Sequence, residues 1–456
     1  MLQKGKPMTR KEVLFKCLRH EEIDRNAWVT MAGVHAGYLK GYTADEVYQD
    51  ADKLVESLLE VEKLYTPDGL ILLFDLQLEA EILGCTIKWE NNSPPCVRSH
   101  PLEENKVIPT QKITRNDGRL PLVIEVAQRI KKAVGDRVAL YGLFCGPYTL
   151  SSHLRGTNFF RDMRKDPEFV RDLMAYSTEI GLQMADIYLD EGVDVIVPVD
   201  PVVSQVSPAH FNQFIAEPYK QIFDHIRARG AFSAFFVCGN ATHLIEPMCH
   251  TGPDSVAVDE NVDLKVAHEI CDRYNVAIGG NIPLTTALLL GNQLDNMKIG
   301  IDLIDRMNTR RNFIVQPGCD MPYATPVENV IALSQAVLNT DKTRELVANY
   351  EISSIDIDVD LPDYENLKKP LVEAFLLDPD ACAACTYMQA SALDMKKVFG
   401  DRIDYAEYRY NNLPDIARTK KMEVKQLPSL YLNGKLIYSS IIPNPDDFIK
   451  QIEDVL

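Results

Sequence analysis

Val193-Asp194-Val195-Ile196-Val197-Pro198-Val199 stands between two long amphipathic stretches, Pro167–Glu191 before it and Pro208–Arg229 after it. A short apolar run bounded by helical periodicity describes a strand buried on both faces, as in a parallel sheet covered by helices. The alternation repeats outward in both directions. Strand-like runs occur at Asn26–Met31, Gly69–Phe74, Arg137–Tyr141, Ala231–Cys238, Ser255–Val258, Asn275–Gly280 and Asn312–Gln316. Further amphipathic stretches occupy Ala44–Tyr65, Leu264–Tyr274 and Pro326–Leu338. Eight β/α repeats in roughly 300 residues is the arithmetic of a TIM (β/α)8 barrel. A doubly wound open sheet would carry a glycine-rich dinucleotide turn after its first strand, and none follows Met31. The α/β barrel is therefore predicted over residues 1–348, with residues 76–120, which hold Pro94, Pro95 and Pro101, as an excursion from the second repeat.

The barrel pattern then stops. Residues 349–369 carry Glu351, Asp356, Asp358, Asp360, Asp363 and Glu365 with few aromatic anchors, the composition of an exposed acidic linker. A second α/β unit is predicted over 370–456. It opens with a strand-like Leu371–Leu377, followed by Cys382-Ala383-Ala384-Cys385 and a helical Tyr387–Val398. Later, Leu427-Pro428-Ser429-Leu430-Tyr431-Leu432-Asn433-Gly434-Lys435 reads as an edge strand entered through a proline and left through an Asn-Gly turn. This order resembles the thioredoxin fold. The resemblance implies a redox pair of Cys382 and Cys385 faced by Pro428, although the Trp before the first cysteine and the proline between the two are missing. A helix N-terminus stabilises a thiolate, so Cys382 is expected to be the reactive thiol and Cys385 its resolving partner.

Composition narrows the function. With Lys+Arg 48 against Asp+Glu 66, the 456-residue chain has a net charge of -18. Such a surface repels nucleic-acid backbones and anionic membranes, and no apolar run approaches the roughly 20 residues of a membrane span. Met1–His20 lacks the apolar core of a signal peptide. Ten cysteines, eight of them scattered singly, suit a reducing compartment rather than a disulfide framework. The expectation is a cytoplasmic protein without nucleic-acid or membrane partners.

Barrel chemistry gathers at the C-terminal ends of the strands. Those ends carry Met31, Asp75, Cys145, Asp200, Cys238, Asp259, Glu260, Asn281 and Cys319. Cys238 and Cys319, 81 residues apart, would enter one mouth. Two converging thiols suit a soft cation such as zinc with an open position for substrate; two small buried hydrophobes are the alternative.

Gly146-Pro147-Tyr148-Thr149-Leu150, Asp166-Pro167-Glu168, Ser207-Pro208 with Pro218-Tyr219, Gly280-Asn281-Ile282-Pro283, and Gly318-Cys319-Asp320 with Pro326, Glu328 and Asn329 resemble the uroporphyrinogen decarboxylase superfamily, over residues 8–345. That resemblance implies one of two activities: decarboxylation of uroporphyrinogen, or zinc-dependent methyl transfer with a corrinoid protein as partner. The decarboxylases hold their substrate's carboxylates with N-terminal arginines, whereas here Trp28–Tyr38 contains none. The methyltransferases carry His-x-Cys-Gly after strand five and Gly-Cys after strand eight; Cys238 and Cys319 match as metal ligands. Phe236 stands where the histidine would be. The candidates for a third ligand are His35, Glu79, His243 and Glu260. Asp75 and Asp200 are expected as catalytic groups orienting substrate, with His35 and Asn281 as binding groups.

The expected function is a corrinoid-dependent methyltransferase acting on a small methylated substrate or a thiol. Zinc would either stabilise a thiolate or withdraw charge from the leaving heteroatom. The apolar Phe236 favours demethylation of an aromatic or apolar donor. The alternatives are a redox-regulated ligand-binding barrel with a degraded metal site and, more remotely, a uroporphyrinogen decarboxylase. A homodimer is compatible with either.

Overall fold

The structure, a computed structural model, describes residues 8–352, 357–377, 379 and 383–456. Eight parallel strands form one sheet: β1 (Ala27–Trp28), β2 (Gly69–Ile71), β3 (Ala139–Cys145), β4 (Val195–Val199), β5 (Phe232–Val237), β6 (Ser255–Val258), β7 (Ala277–Ile282) and β8 (Phe313–Pro317). The ladder runs β1-β8-β7-β6-β5-β4-β3-β2, and a single parallel bridge between Val29 and Gly69 brings its two ends together. This TIM-barrel-like ring is wrapped by helices. Nearly every strand residue is buried, which is why the strands read as unbroken apolar runs. The junction of β1 and β2 is stitched mainly by Asp68. Its backbone N–H donates to Trp28 O at 2.8 Å, its carboxylate accepts from Trp28 N at 2.8 Å, and Arg25 clamps both of its oxygens.

Three helical details depart from the periodicity. Ala44–Tyr65 is two helices, Ala44–Gln49 and Ala51–Tyr65, parted at an extended Asp50 whose side chain caps Lys53 N at 3.1 Å. Within Pro208–Arg229, residues Phe211–Ile215 widen into a π-turn. Pro218 lacks the N–H that an α-helix would donate to Phe214 O, and the widened turn absorbs that gap. The third strand continues past Tyr141 to Cys145, because Gly142 leaves room for the Tyr188 ring; a Cβ there would lie 2.6 Å from Tyr188 Cγ. The excursion at 76–120 holds the short helix Leu78–Ile82 and a two-stranded ribbon, Ile87–Lys88 with Cys96–Val97.

The C-terminal unit has its own four-stranded sheet of β9 (Leu371–Leu376), β10 (Asp404–Arg409), β11 (Ser429–Leu432) and β12 (Lys435–Ser439), in the order β10-β9-β11-β12. β9 and β10 are parallel, and the other pairs antiparallel. The expected edge strand lies inside the sheet. Asn433 and Gly434, both at positive φ (51° and 74°), close a two-residue hairpin that adds β12 outside β11. The Leu427–Pro428 peptide bond is cis. Cys385 is buried in the helix Ala383–Phe399, whereas Cys382 lies outside the described residues. The acidic segment before β9 is mostly exposed but anchored to this unit: Lys421 pairs with Asp358 at 2.9 Å, Arg418 donates to Asp360 O at 2.9 Å, and Tyr364 donates to Glu373 at 2.8 Å.

This unit rests on the barrel mouth. Tyr387, on the helix Ala383–Phe399, is buried in the barrel's own apolar core. Its ring meets Phe160 edge-on at 5.3 Å, and its hydroxyl lies 3.3 Å from His153 Nδ1. The same helix packs on the 3-10 turn Pro201–Gln205 that follows β4.

Candidate functional site: a thiol-lined cavity between barrel and C-terminal unit

Cys238 leaves β5 and Cys319 leaves β8, and their Sγ atoms lie 2.6 Å apart. Glycines permit the approach. A Cβ on Gly318 would come 2.8 Å from Glu260 N, and Gly239 takes a left-handed turn at φ 82°. The thiols face a cavity of about 200 Å³. Barrel loops, including Phe74, Leu284 and Tyr323, form one side; Leu377, Tyr410, Leu427 and Pro428 of the C-terminal unit close the other.

Other expected site residues have their polar atoms committed elsewhere. Asp200 is fully buried and accepts from Tyr148 N at 3.0 Å, Thr149 N at 2.9 Å and Tyr219 OH at 2.7 Å, with the Thr149 hydroxyl as a fourth donor. It anchors the start of the helix Pro147–Arg155 rather than a substrate, and burial pushes its pKa up to about 6. Asp75 is equally buried, with Arg119 2.6 Å away and Gln77 N donating at 2.8 Å. His35 sits beneath the mouth; Nδ1 donates to Tyr323 O at 3.0 Å and Nε2 accepts from Tyr65 OH at 2.7 Å. Burial lowers its pKa to about 4, so the ring is neutral. Asn281 braces the loop after β6, donating to Asp259 O at 3.1 Å and Val262 O at 2.8 Å.

The candidates for a third metal ligand do not join the thiols. His243 donates to Val206 O at 2.8 Å. Glu79 is buried against Cys145 N at 3.3 Å, and burial pushes its pKa up to about 8. Glu260 accepts from Leu284 N; burial, then the charge of Asp259, pushes it up to about 8. Phe236 fills the barrel interior, edge-on to Phe74 at 6.1 Å. Among the described residues, no group of three His, Cys, Asp or Glu side chains is placed to hold a metal ion. An open zinc site takes three protein ligands, and two thiolates on one tetrahedral zinc sit about 3.8 Å apart. Among the described residues the donor set here is two thiols, one ligand short of that site, and it does not fit it.

Asp320 belongs to the cavity wall and escaped the strand-end reading, although it follows Cys319 directly. It accepts from Gly33 N at 2.7 Å and Val34 N at 3.4 Å, tying the loop after β8 to the loop after β1, and burial pushes its pKa up to about 7.

An eight-stranded α/β barrel with paired thiols at its mouth defines the class, and the chain belongs to the uroporphyrinogen decarboxylase (URO-D) family, whose model matches residues 9–339. Both activities occur among its relatives. It is 26% identical to a methylcobamide:CoM methyltransferase of Methanosarcina acetivorans over 338 residues, covering 73% of this chain and 98% of that protein. It is 26% identical to the uroporphyrinogen decarboxylase of a Wolbachia strain from Drosophila simulans over 302 residues, covering 64% and 85%. A solved structure of a methyltransferase from Methanosarcina mazei shares the fold at TM-score 0.67 and 23% identity, covering 74% of this chain and all of that one. No helix among the described residues is long and apolar enough to cross a membrane.

Proposed function

We propose that this chain transfers a methyl group between a small molecule held in the cavity and a corrinoid carried by a partner protein. The observation that carries this reading is the meeting of Cys238 and Cys319 at the cavity wall, in a chain similar to methylcobamide:CoM methyltransferases. The cavity argues against the decarboxylase reading. Uroporphyrinogen brings eight carboxylates, and no Lys, Arg or His is among the described residues that line the cavity; buried carboxylates need cationic partners. Among the described residues, the zinc implied by the resemblance would rest on Cys238 and Cys319. The chain's own contribution is a mainly apolar cavity that holds the substrate against two sulfur atoms. For residues 370–456 we propose a thioredoxin-like module, supported by the sheet order and by Cys385 in the first turn of its helix.

Transfer between cobalamin, standing in for the protein-bound corrinoid, and candidate methyl compounds is followed by the visible spectrum of the cobalt. The native chain is expected to be active, and Cys238→Ser and Cys319→Ser to lose at least about tenfold in rate. Porphyrinogen decarboxylation, or an unchanged rate in the double variant, overturns the reading.

A further inference from the structure

The family match stops at residue 339, yet one side of the cavity is built from residues beyond it. Leu377, Ala384, Tyr410, Asn411, Leu427 and Pro428 face the barrel thiols across the chamber. The family's share of the chain therefore supplies only part of this binding site. The module supplies the rest, held in place by Tyr387 in the barrel core.

The chemistry of the two walls specifies what fits between them. Most of the lining is apolar, and its neutral polar groups include Gln77, Ser204, Gln205 and Asn411. Its two carboxylates, Asp259 and Asp320, are turned toward backbone N–H groups: Asn261 N donates to Asp259 at 2.8 Å, and Gly33 N to Asp320 at 2.7 Å. An anion would sit beside those carboxylates with no cation among the described lining residues, a placement that costs binding. A cation would find the carboxylate oxygens already occupied.

We propose that the C-terminal module is the second wall of the substrate cavity and that the complete cavity selects an uncharged methyl compound with an apolar body. The word substrate rests on the methyl-transfer reading; the selection itself is a matter of binding and is tested without turnover. An anionic methyl compound would find no cation to hold it among the described residues of the lining.

The test uses the full chain and a matched pair of probes, 3-methoxyphenol and 3-methoxybenzoate, titrated calorimetrically near neutral pH. The phenol is expected to bind and the benzoate to bind at least about tenfold more weakly. Asn411 is exposed, so substitution there leaves the packing in place. Asn411→Lys adds a cation to the module wall and is expected to tighten the benzoate about tenfold; Asn411→Gln keeps the native preference. Thermal melting confirms that both variants are folded. The proposal is overturned if the phenol shows no binding at millimolar concentration, if the benzoate binds as tightly, or if Asn411→Lys leaves the preference unchanged. Failure of the methyl-transfer reading looks different: the phenol binds with the expected preference, and cobalamin neither gains nor loses a methyl group.

Discussion

Replacing Glu79 by Gln removes one fully buried carboxyl of the barrel. One of its oxygens accepts from Cys145 N at 3.3 Å and the other is buried without a hydrogen-bond partner. Burial raises its pKa from 4.5 to about 8. The folded chain therefore holds this proton over a range where the unfolded chain has lost it. The stability linked to the carboxyl is complete below the unfolded pKa and drains away as pH rises through the folded one. The slope is about 1.4 kcal/mol per pH unit, a ceiling of roughly 4 kcal/mol between pH 5 and pH 8. Local relaxation around the buried group reduces this to about 2–3 kcal/mol. With an unfolding entropy of about 2 cal/mol/K per residue over a barrel of roughly 340 residues, that is about 3–4 °C in melting temperature. Glutamine keeps the shape and cannot ionise. Melting curves of both proteins across this pH range should diverge, with Glu79→Gln gaining on the native chain as pH rises. Glu260 and Asp320, also raised by burial, tilt both profiles alike and cancel in the difference. Parallel profiles would refute the reasoning.

Tyr387→Ala removes a buried ring that joins the module to the barrel. It is expected to cost about 2–4 kcal/mol of docking and to speed proteolysis within residues 349–369, whereas an unchanged cleavage rate would show that the ring does not hold the module. Zinc offered to the native chain should fall well below one equivalent after dialysis against a chelator, since among the described residues two thiols stand where three ligands are needed; full retention that is lost in Cys238→Ser would reveal a completed site. With Cys382 read as the attacking thiol and the fully buried Cys385 as its resolving partner, a thiolate at the helix N-terminus should be marked first by brief alkylation, and equal labelling of the two by mass spectrometry would remove that assignment.

Where sequence succeeds here, burial on two faces explains it. Ser255–Val258 has the same limits in sequence and structure, and all eight strands fall within or beside the apolar runs that announce them. Periodicity runs across Asp50 and Phe211–Ile215 without interruption, because a cap or a widened turn changes the backbone and leaves the spacing of apolar residues intact. The thiol pair was legible because barrel geometry sends every strand end toward one mouth. The same rule misleads for Asp75, Asp200 and His35. Position at a strand end does not say whether a side chain faces the chamber or turns back to anchor a neighbour, and each of these turns back. The module wall was illegible for another reason: Tyr410 and Asn411 reach the cavity through docking of one unit on another, which leaves no local pattern.

The lone bridge between Val29 and Gly69 gives the ring a seam. Every other neighbouring pair of barrel strands shares two or more paired positions, whereas this junction depends on Asp68 and the Arg25 clamp. Breathing of the barrel should begin there, and its amides should be the first of the ring to exchange with solvent deuterium. Cys238 and Cys319 hang from β5 and β8, which are joined through β6 and β7 by continuous ladders on the far side of that seam. The barrel can loosen at its weakest line while the spacing of the two sulfurs stays fixed, so the motion of the scaffold and the precision of the site are carried by different arcs of one circle.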